Sequence, residues 1–301
     1  FIGRTVVRQL TAEGHGVCCL VQASQFEQQL PTDVTFSIVA ADLNDMSALR
    51  QAMQNVTAVI HLTREEERPD ERTLVDHAKG TNNLLKAAQE ANVTRFIYLS
   101  RLGATAASAY PLFRIKGESE IAVAESGLSY TTFRSAVVYS PEDAFTTRLV
   151  MLAKMCPLLL PIPDVGMVRF QPLWVEDLAR CIVATVDRDD LIDRMIPLGG
   201  PEHFTLEQMI HRVLEAAGMR RHLLHVQIPL MRTGAEALQA LLVRSPTPAW
   251  WLDLAAAGSA TELGTIPKHF GFEPCRFTHC LNYLRQSRPW RRAFIRHVVG
   301  R

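Results

Sequence analysis

Short runs of β-branched and apolar residues alternate along the chain with longer segments in which apolar residues recur at helical spacing. The runs predict strands at residues 17–21, 34–39, 58–62 and 95–100, and the amphipathic segments predict helices at residues 46–53 and 74–91. Such alternation is typical of βαβ units, in which helices cover both faces of a parallel sheet. The pattern therefore predicts an α/β fold with a doubly wound parallel sheet.

The second half of the chain has a different pattern. Prolines and a glycine at residues 157–166 predict an exposed loop, and the segment 197–201 predicts the exit from a last strand. Helices are predicted beyond it at residues 205–217, 234–243 and 250–257, where Trp250, Trp251 and Leu252 are expected in a core. We therefore predict an α/β domain with the parallel sheet at residues 1–195, a smaller, mainly helical C-terminal lobe at 196–285 and a basic tail at 286–301.

Composition narrows the function classes. The chain has 301 residues, 48% of them hydrophobic, and a formal net charge of +1. Its overall charge therefore does not favour the binding of nucleic acid. No run of 18 apolar residues predicts a membrane span. The six cysteines form no C-x-x-C pair, and we interpret them as small apolar groups of a reducing compartment. No metal site is predicted.

The C-terminal segment is the exception to this neutral charge. No acidic residue follows Glu273, whereas seven arginines do, interleaved after Arg285 with Trp290, Phe294 and other apolar residues. Such a segment either lies on an anionic membrane surface or a partner, or is a disordered, solubilising tail.

The first residues are typical of the end of a dinucleotide-binding turn. Gly3, after Phe1 and Ile2, precedes an amphipathic helix, and the N–H groups at a helix N-terminus favour a pyrophosphate. We expect the preceding strand and the first glycines of this turn to lie upstream of the sequence given. In doubly wound order that strand is central to the sheet.

Polar residues follow the predicted strands where ligands bind in such sheets. Asp42, before Leu43, either accepts from an adenine amino group or is a solvated turn aspartate. His61 ends a strand next to Leu62 and Thr63, and is either structural or beside the dinucleotide. Asn83 on the following helix either holds backbone near the site or belongs to a polar helix face, and Ser100 ends the next strand.

Six segments together resemble the successive signatures of atypical short-chain dehydrogenase/reductases, which are NAD-dependent epimerase/dehydratase-like and NmrA-like proteins with a Rossmann fold. They are residues 1–3, 41–43, 80–85, 95–100, 133–139 and 171–179. The resemblance covers residues 1 to about 285. Arg169-Phe170-Gln171-Pro172 and His269-Phe270-Gly271-Phe272 are most similar to the branch that contains the NDUFA9-type accessory subunit of respiratory complex I.

The resemblance implies a set of cofactor-binding residues. It comprises Phe1, Ile2, Gly3, Gln22, Asp42, Leu43, Leu62, Thr63, Asn83, Ser100, Lys116 and Arg134.

The catalytic Tyr-x-x-x-Lys pattern of active members is incomplete. The lysine of that pattern lowers the pKa of the tyrosine and holds the nicotinamide ribose. Lys116 is present, but Leu112 occupies the tyrosine position, and Tyr110 lies about 240° from the lysine on an ideal helix. Arg101 stands where many relatives have a second serine. Only Ser100 and Lys116 remain of the catalytic set, which predicts cofactor binding without turnover.

Two features leave alternatives open. Lys116 either contacts the ribose or pairs with Glu120 at i, i+4. Gln22, after the second strand of the fold, is neither the acid that selects NAD nor the base that selects NADP. Relatives of this branch often have arginine at this position and bind NADP(H), so the resemblance favours NADP(H) over NAD(H). Arg4 either approaches a 2′-phosphate or is solvated.

The resemblance implies an accessory or assembly subunit of a membrane respiratory complex of the NADH dehydrogenase type, cytoplasmic or peripheral on the membrane face, or on the matrix side in a mitochondrion. The alternative is an active NAD(P)-dependent reductase or sugar-nucleotide epimerase/dehydratase with another proton donor.

Overall fold

The computed structural model describes residues 1–21, 30–62, 71–156, 158–241 and 249–285. The helices are α1 (Ile2–Ala12), α2 (Met46–Ala52), α3 (Glu71–Glu90), α4 (Pro111–Ala124), α5 (Ala144–Met155), α6 (Val175–Ala184), α7 (Leu206–Ala216), α8 (Ile228–Leu241), α9 (Ala249–Ala257) and α10 (Thr265–Phe270). The strands are β1 (Cys18–Val21), β2 (Ser37–Ala40), β3 (Ala58–Leu62), β4 (Arg95–Arg101), β5 (Tyr130–Ser135), β6 (Val138–Tyr139), β7 (Leu159–Pro163), β8 (Arg169–Phe170), β9 (Leu173–Trp174), β10 (Arg194–Leu198), β11 (Phe204–Thr205) and β12 (His222–Val226).

Four parallel strands form the largest sheet, in the order β10-β5-β4-β3. Residues 95–100 of β4 are all buried, because helices cover this parallel sheet. Leu49 of α2, Leu84 and Leu85 of α3, and Phe96 of β4 belong to one apolar core. The predicted α/β fold with a parallel sheet is confirmed.

β1 and β2 pair in parallel with each other in a separate two-stranded sheet. In the described part of the chain no strand pairs with the second edge of β1 or with the outer edge of β3. Doubly wound order places one strand between these two edges. The upstream first strand stays a prediction.

The chain divides into two compact units that are not contiguous in sequence. The first contains Phe1–Ser135, Val175–Leu198 and Thr265–Phe272, and the second contains Ala136–Trp174, Gly199–Gly264 and Glu273–Arg301. The second unit has its own core, in which Leu149, Leu160, Ile210 and Phe277 are buried. The domain boundaries at residues 195 and 285 stay a prediction.

The prediction of an exposed loop at residues 157–166 is wrong for the central part of this segment. Residues 159–163 form β7, which pairs in parallel with β12 in a region where the sequence pattern predicts mainly helix. Pro161 and Pro163 have no backbone N–H, which a strand paired on both sides would need. Among the described residues β7 has a pairing partner on one side only, and such an edge strand tolerates proline. The helix predicted at residues 234–243 also begins earlier, at Ile228, with Pro229 in its first turn.

The cysteines divide into two classes. Cys275 and Cys280 form a disulfide, so the interpretation of all six as small apolar groups is wrong for this pair. Burial and then the neighbouring Cys18 raise the pKa of Cys19 to about 11, and burial raises the pKa of Cys181, so both thiols stay neutral at pH 7. These two do behave as apolar side chains.

Two further predictions concern the C-terminal part of the chain. Leu252 is buried as predicted, whereas the side chains of Trp250 and Trp251 and the tail at residues 286–301 lie outside what the structure describes. No helix in the described ranges is both long and apolar enough to span a bilayer.

Candidate functional site

The predicted site residues follow strands whose carboxyl ends share one edge of the first unit. Leu62 ends β3, Ser100 is the penultimate residue of β4, and Arg134 is the penultimate residue of β5. Because these strands are parallel neighbours, their ends are brought together. This edge is where ligands bind in open α/β sheets.

The N-terminus of α1 lies at the same edge. A Cβ on Gly3 would be 3.7 Å from Cδ1 of Leu62, which places the first turn of α1 beside the end of β3. Phe1 is the N-cap and gives the helix no side-chain capping bond. Backbone N–H groups at such a terminus favour an anion, so this turn fits a pyrophosphate.

α3 holds the loop after β2 in place. The side-chain amide of Asn83 donates to the carbonyl of Leu43 at 3.0 Å, and a Cβ on Gly80 would be only 2.8 Å from that of Leu43. Asp42, which is exposed, accepts from the N–H of Asn44 at 2.7 Å and so closes a turn. Asn83 thus holds backbone, as one interpretation of the sequence expects, and Asp42 remains accessible to a ligand.

His61 has a structural environment. Its ring is buried, its Nε2 lies 3.1 Å from the hydroxyl of Thr81, and it stacks on Tyr98 with ring centroids 5.5 Å apart. These contacts join β3 to α3 and β4. They favour the structural interpretation of this histidine.

The two remnants of the catalytic set, Ser100 and Lys116, are both buried. Lys116 donates to the carbonyl of Leu99 at 3.3 Å and lies 5.8 Å from the ring centroid of Tyr98. The hydroxyl of Ser100 is buried without a hydrogen-bond partner among the described residues. A buried hydroxyl without a partner is costly, and a bound ligand with a polar group is one way to satisfy it.

Leu112 and Tyr110 lie at the beginning of α4. Leu112 is the second residue of the helix and is half-buried, and it has no group that can transfer a proton. Tyr110 is the N-cap, with extended φ and ψ of −86° and 120°, so it lies outside the helix. The ideal-helix angle between Tyr110 and Lys116 therefore does not apply, because the helix begins after the tyrosine.

Arg134 pairs with a buried carboxylate. Its Nε and a terminal nitrogen donate to the two oxygens of Glu120 at 2.9 and 2.5 Å, and this pairing raises the pKa of the guanidinium. Glu120 is the residue expected to pair with Lys116 in the alternative interpretation, and its two oxygens both accept from Arg134. The sequence pattern did not predict this pair, since the two residues lie on different elements.

The loop between β4 and α4 lies directly on the helix, which the sequence pattern also missed. A Cβ on Gly117 would be 2.3 Å from the N of Ala106 and from the carbonyl carbon of Thr105. The N–H of Thr105 also donates to the carbonyl of Phe113 at 3.1 Å. Gly117 therefore lets the loop backbone touch the helix next to Lys116, and a glycine directly after the lysine is the one sequence signal that could have indicated it.

Gln22 and Thr63 lie outside the described residues. In the described ranges no three metal-ligating side chains form a metal site. The fit to a nicotinamide dinucleotide thus depends on the α1 terminus, the Asp42 turn, Ser100 and Lys116. These residues are compatible with that ligand, and Leu112 stands four residues before Lys116 in α4.

Comparisons with known proteins agree with this geometry. Residues 1–154 match the NAD(P)H-binding family. Subunit 9 of the NADH dehydrogenase (ubiquinone) 1 alpha subcomplex of Arabidopsis thaliana, a mitochondrial protein, is 25% identical over 255 residues, which are 82% of this chain and 63% of that protein. The photosystem II assembly factor Ycf39 of Synechocystis is 25% identical over 303 residues, 95% of this chain and 87% of that protein. The chain thus spans less than two thirds of the Arabidopsis protein.

Solved structures share the fold. A nucleoside-diphosphate-sugar epimerase of Staphylococcus aureus superposes with a TM-score of 0.75 at 17% identity, over 95% of this chain and 96% of that one. An NADPH-dependent quinone oxidoreductase of Escherichia coli complexed with NADPH gives a TM-score of 0.73 at 17% identity, over 95% and 96%. The predicted resemblance to NAD(P)-binding, epimerase/dehydratase-like proteins is confirmed. Because the matching segment is half of the chain and contains α1, the Asp42 turn, β4 and Lys116, the chain belongs to the NAD(P)H-binding family.

Proposed function

We propose that this protein binds a nicotinamide dinucleotide, NADP(H) in preference to NAD(H), without dehydrogenase turnover, and acts as an accessory or assembly subunit of a membrane respiratory complex of the NADH dehydrogenase type. One observation carries the proposal. Lys116 is buried and donates to the carbonyl of Leu99, near the carboxyl end of β4. The position four residues before it, where the enzymes that this chain resembles have a tyrosine, is Leu112.

Several residues of the site support binding of the dinucleotide. The dinucleotide supplies hydride-transfer chemistry in enzymes of this fold. In this chain the α1 N-terminus would receive the pyrophosphate, Asp42 would accept from the adenine amino group, and Lys116 would donate to the ribose hydroxyls. Ser100 would gain the hydrogen bond that it lacks among the described residues. Leu112 contributes only apolar surface.

The preference for NADP(H) depends on charge near the adenosine ribose. Arg4 stands in the first turn of α1, and Gln22 gives no carboxylate that would repel a 2′-phosphate. The assembly role is supported by the two relatives whose names describe a complex subunit and an assembly factor. The tail at residues 286–301, with its arginines and apolar residues, would attach the protein to that complex or to an anionic membrane at the cytoplasmic or matrix face.

NADPH is expected to raise the melting temperature of the full-length protein, because only the native state holds the site. An excess of about 100 times the dissociation constant contributes about 2.7 kcal/mol. The measurement is a thermal-shift titration with NADPH and, separately, NADH, in which NADPH should act at the lower concentration. No response to either nucleotide would end the dinucleotide proposal, and a stronger response to NADH would end the NADP(H) preference.

Lys116→Met is expected to weaken NADPH binding by about tenfold or more, since it removes a charged hydrogen-bond donor. The matched control is Lys86→Met on α3, whose side chain is exposed and should leave the affinity unchanged. Oxidation of NADPH with carbonyl substrates, and conversion of nucleotide sugars, should be at background in the parent and in both variants. Steady turnover that Lys116→Met abolishes would instead establish the active reductase or epimerase.

A further inference from the structure

Three aliphatic side chains are exposed where α5 leads into β7. The exposed fractions are 53% for Met155, 74% for Leu158 and 54% for Leu159. A single exposed leucine is ordinary on a protein surface, but three such side chains within five positions form a patch that needs a role. We call Met155, Leu158 and Leu159 the apolar wedge.

The wedge extends from the end of α5 to the beginning of β7. Along β7 the side chains alternate, so that Leu160 and Ile162 enter the core of the second unit while Leu159 points outward. Asp143 caps α5 by accepting from the N–H of Thr146 at 2.6 Å. The outward orientation of Leu159 is therefore set by the strand that contains it.

Basic side chains border the wedge. The N–H of His222 donates to the carbonyl of Leu158 at 3.1 Å, and Nε of Arg221 donates to the carbonyl of Ala153 at 2.8 Å. These bonds place Arg220 and Arg221, which directly precede β12, beside the wedge, and exposed Lys154 precedes Met155 in the last turn of α5. The sequence contains no aspartate or glutamate at residues 148–163 or 216–235. We call Lys154, Arg220 and Arg221 the basic rim.

We propose that the apolar wedge and the basic rim form a docking surface for an anionic lipid bilayer, separate from the tail at residues 286–301. Aliphatic side chains surrounded by lysine and arginine match the boundary between acyl chains and anionic headgroups. A protein partner is the less favoured occupant. Methionine and arginine are also common at protein interfaces, but such interfaces are enriched in aromatic residues and depleted of lysine, whereas the wedge contains no aromatic residue and the rim contains Lys154.

The surface is independent of dinucleotide binding. The wedge and the rim belong to the second unit, whereas Ser100 and Lys116 belong to the first. The vesicle experiment below is done without nucleotide, so its failure leaves the dinucleotide-binding part of the proposed function untouched.

The test is co-sedimentation of the full-length protein with vesicles of phosphatidylcholine alone or of phosphatidylcholine with phosphatidylglycerol. We expect binding to the anionic vesicles that weakens as salt is raised. Replacing both Leu158 and Leu159 with serine should lower the affinity by about tenfold or more, because two large apolar side chains no longer enter the bilayer. Arg220→Gln should lower it by about fivefold.

Two further variants make the result specific. Met167→Ser is the matched control, because Met167 is 83% exposed but belongs to neither the wedge nor the rim, and it should bind as the parent does. A chain ending at Arg285 tests the tail, and it should keep the part of the affinity that depends on Leu158 and Leu159. Melting temperatures equal to that of the parent would show that the variants fold.

Three results would overturn the proposal. The first is equal binding of the parent and the double serine variant. The second is no binding of the parent to the anionic vesicles. The third is a self-association of the parent that Leu158 controls without any vesicle binding, which would assign the wedge to a second copy of the chain.

Discussion

Replacing Gly117 with alanine is expected to lower the free energy of unfolding by about 1–3 kcal/mol, although alanine is about 1 kcal/mol better than glycine inside a helix. The added Cβ would be 2.3 Å from the backbone of Thr105 and Ala106, so the loop between β4 and α4 must move. The same movement should weaken NADPH binding, because Lys116 is the adjacent residue. Denaturant unfolding and an NADPH titration measure the two effects.

Gly234→Ala is the matched control for this prediction. Gly234 is on α8, it is exposed, and no atom lies within 4 Å of the position of its missing Cβ. Alanine there should raise the free energy of unfolding by about 0.4–1 kcal/mol, through helix propensity and the lower entropy of the unfolded chain. If both variants gained stability equally, the close contact at Gly117 would be disproved.

Arg134→Met is expected to lower the free energy of unfolding by about 2–4 kcal/mol. The side chain of Glu120 is only 3% exposed, so its carboxylate would stay buried without the guanidinium that now donates to both of its oxygens. The arginine is itself 34% exposed, and for that reason we expect a smaller loss than the roughly 3–5 kcal/mol typical of fully buried pairs. Denaturant unfolding gives the value.

A double variant and an exposed pair test the cause of this loss. Combining Glu120→Gln with Arg134→Met should recover much of the stability, because a neutral amide then replaces the carboxylate that lost its partner. Arg50→Met removes an exposed partner of Glu90 and should leave the stability nearly unchanged, because solvent screens that pair. A loss from Arg50→Met as large as that from Arg134→Met would contradict burial as the cause.

The site was predictable from sequence where position along the chain is enough. Strands ending near Leu62 and Ser100 could be recognised from their apolar runs, and parallel order then brings their ends to one edge. The absence of a phenol four residues before Lys116 is also a sequence fact. The starting point of α4 was not predictable in this way, because the N-cap position of Tyr110 depends on how the chain leaves the preceding loop.

The second unit was less predictable, because its pattern contains residues that locally favour a different structure. Pro161 and Pro163 indicate a loop, yet pairing with β12, about sixty residues later in the chain, makes the segment a strand. Cys275 and Cys280 likewise form a disulfide, although their spacing does not match the C-x-x-C pattern.

The sequence by itself determined the α/β fold class, the nucleotide-binding character of the first half, and the leucine four residues before Lys116. These depend on local periodicity and on residue types at fixed spacings, which a linear chain displays directly. Only the tertiary structure decided that Asn83 holds Leu43, that Arg134 pairs with Glu120, and that Gly117 admits the loop backbone. Each of these is a contact between elements separated in the chain, and its partner is chosen by packing, which no local pattern records.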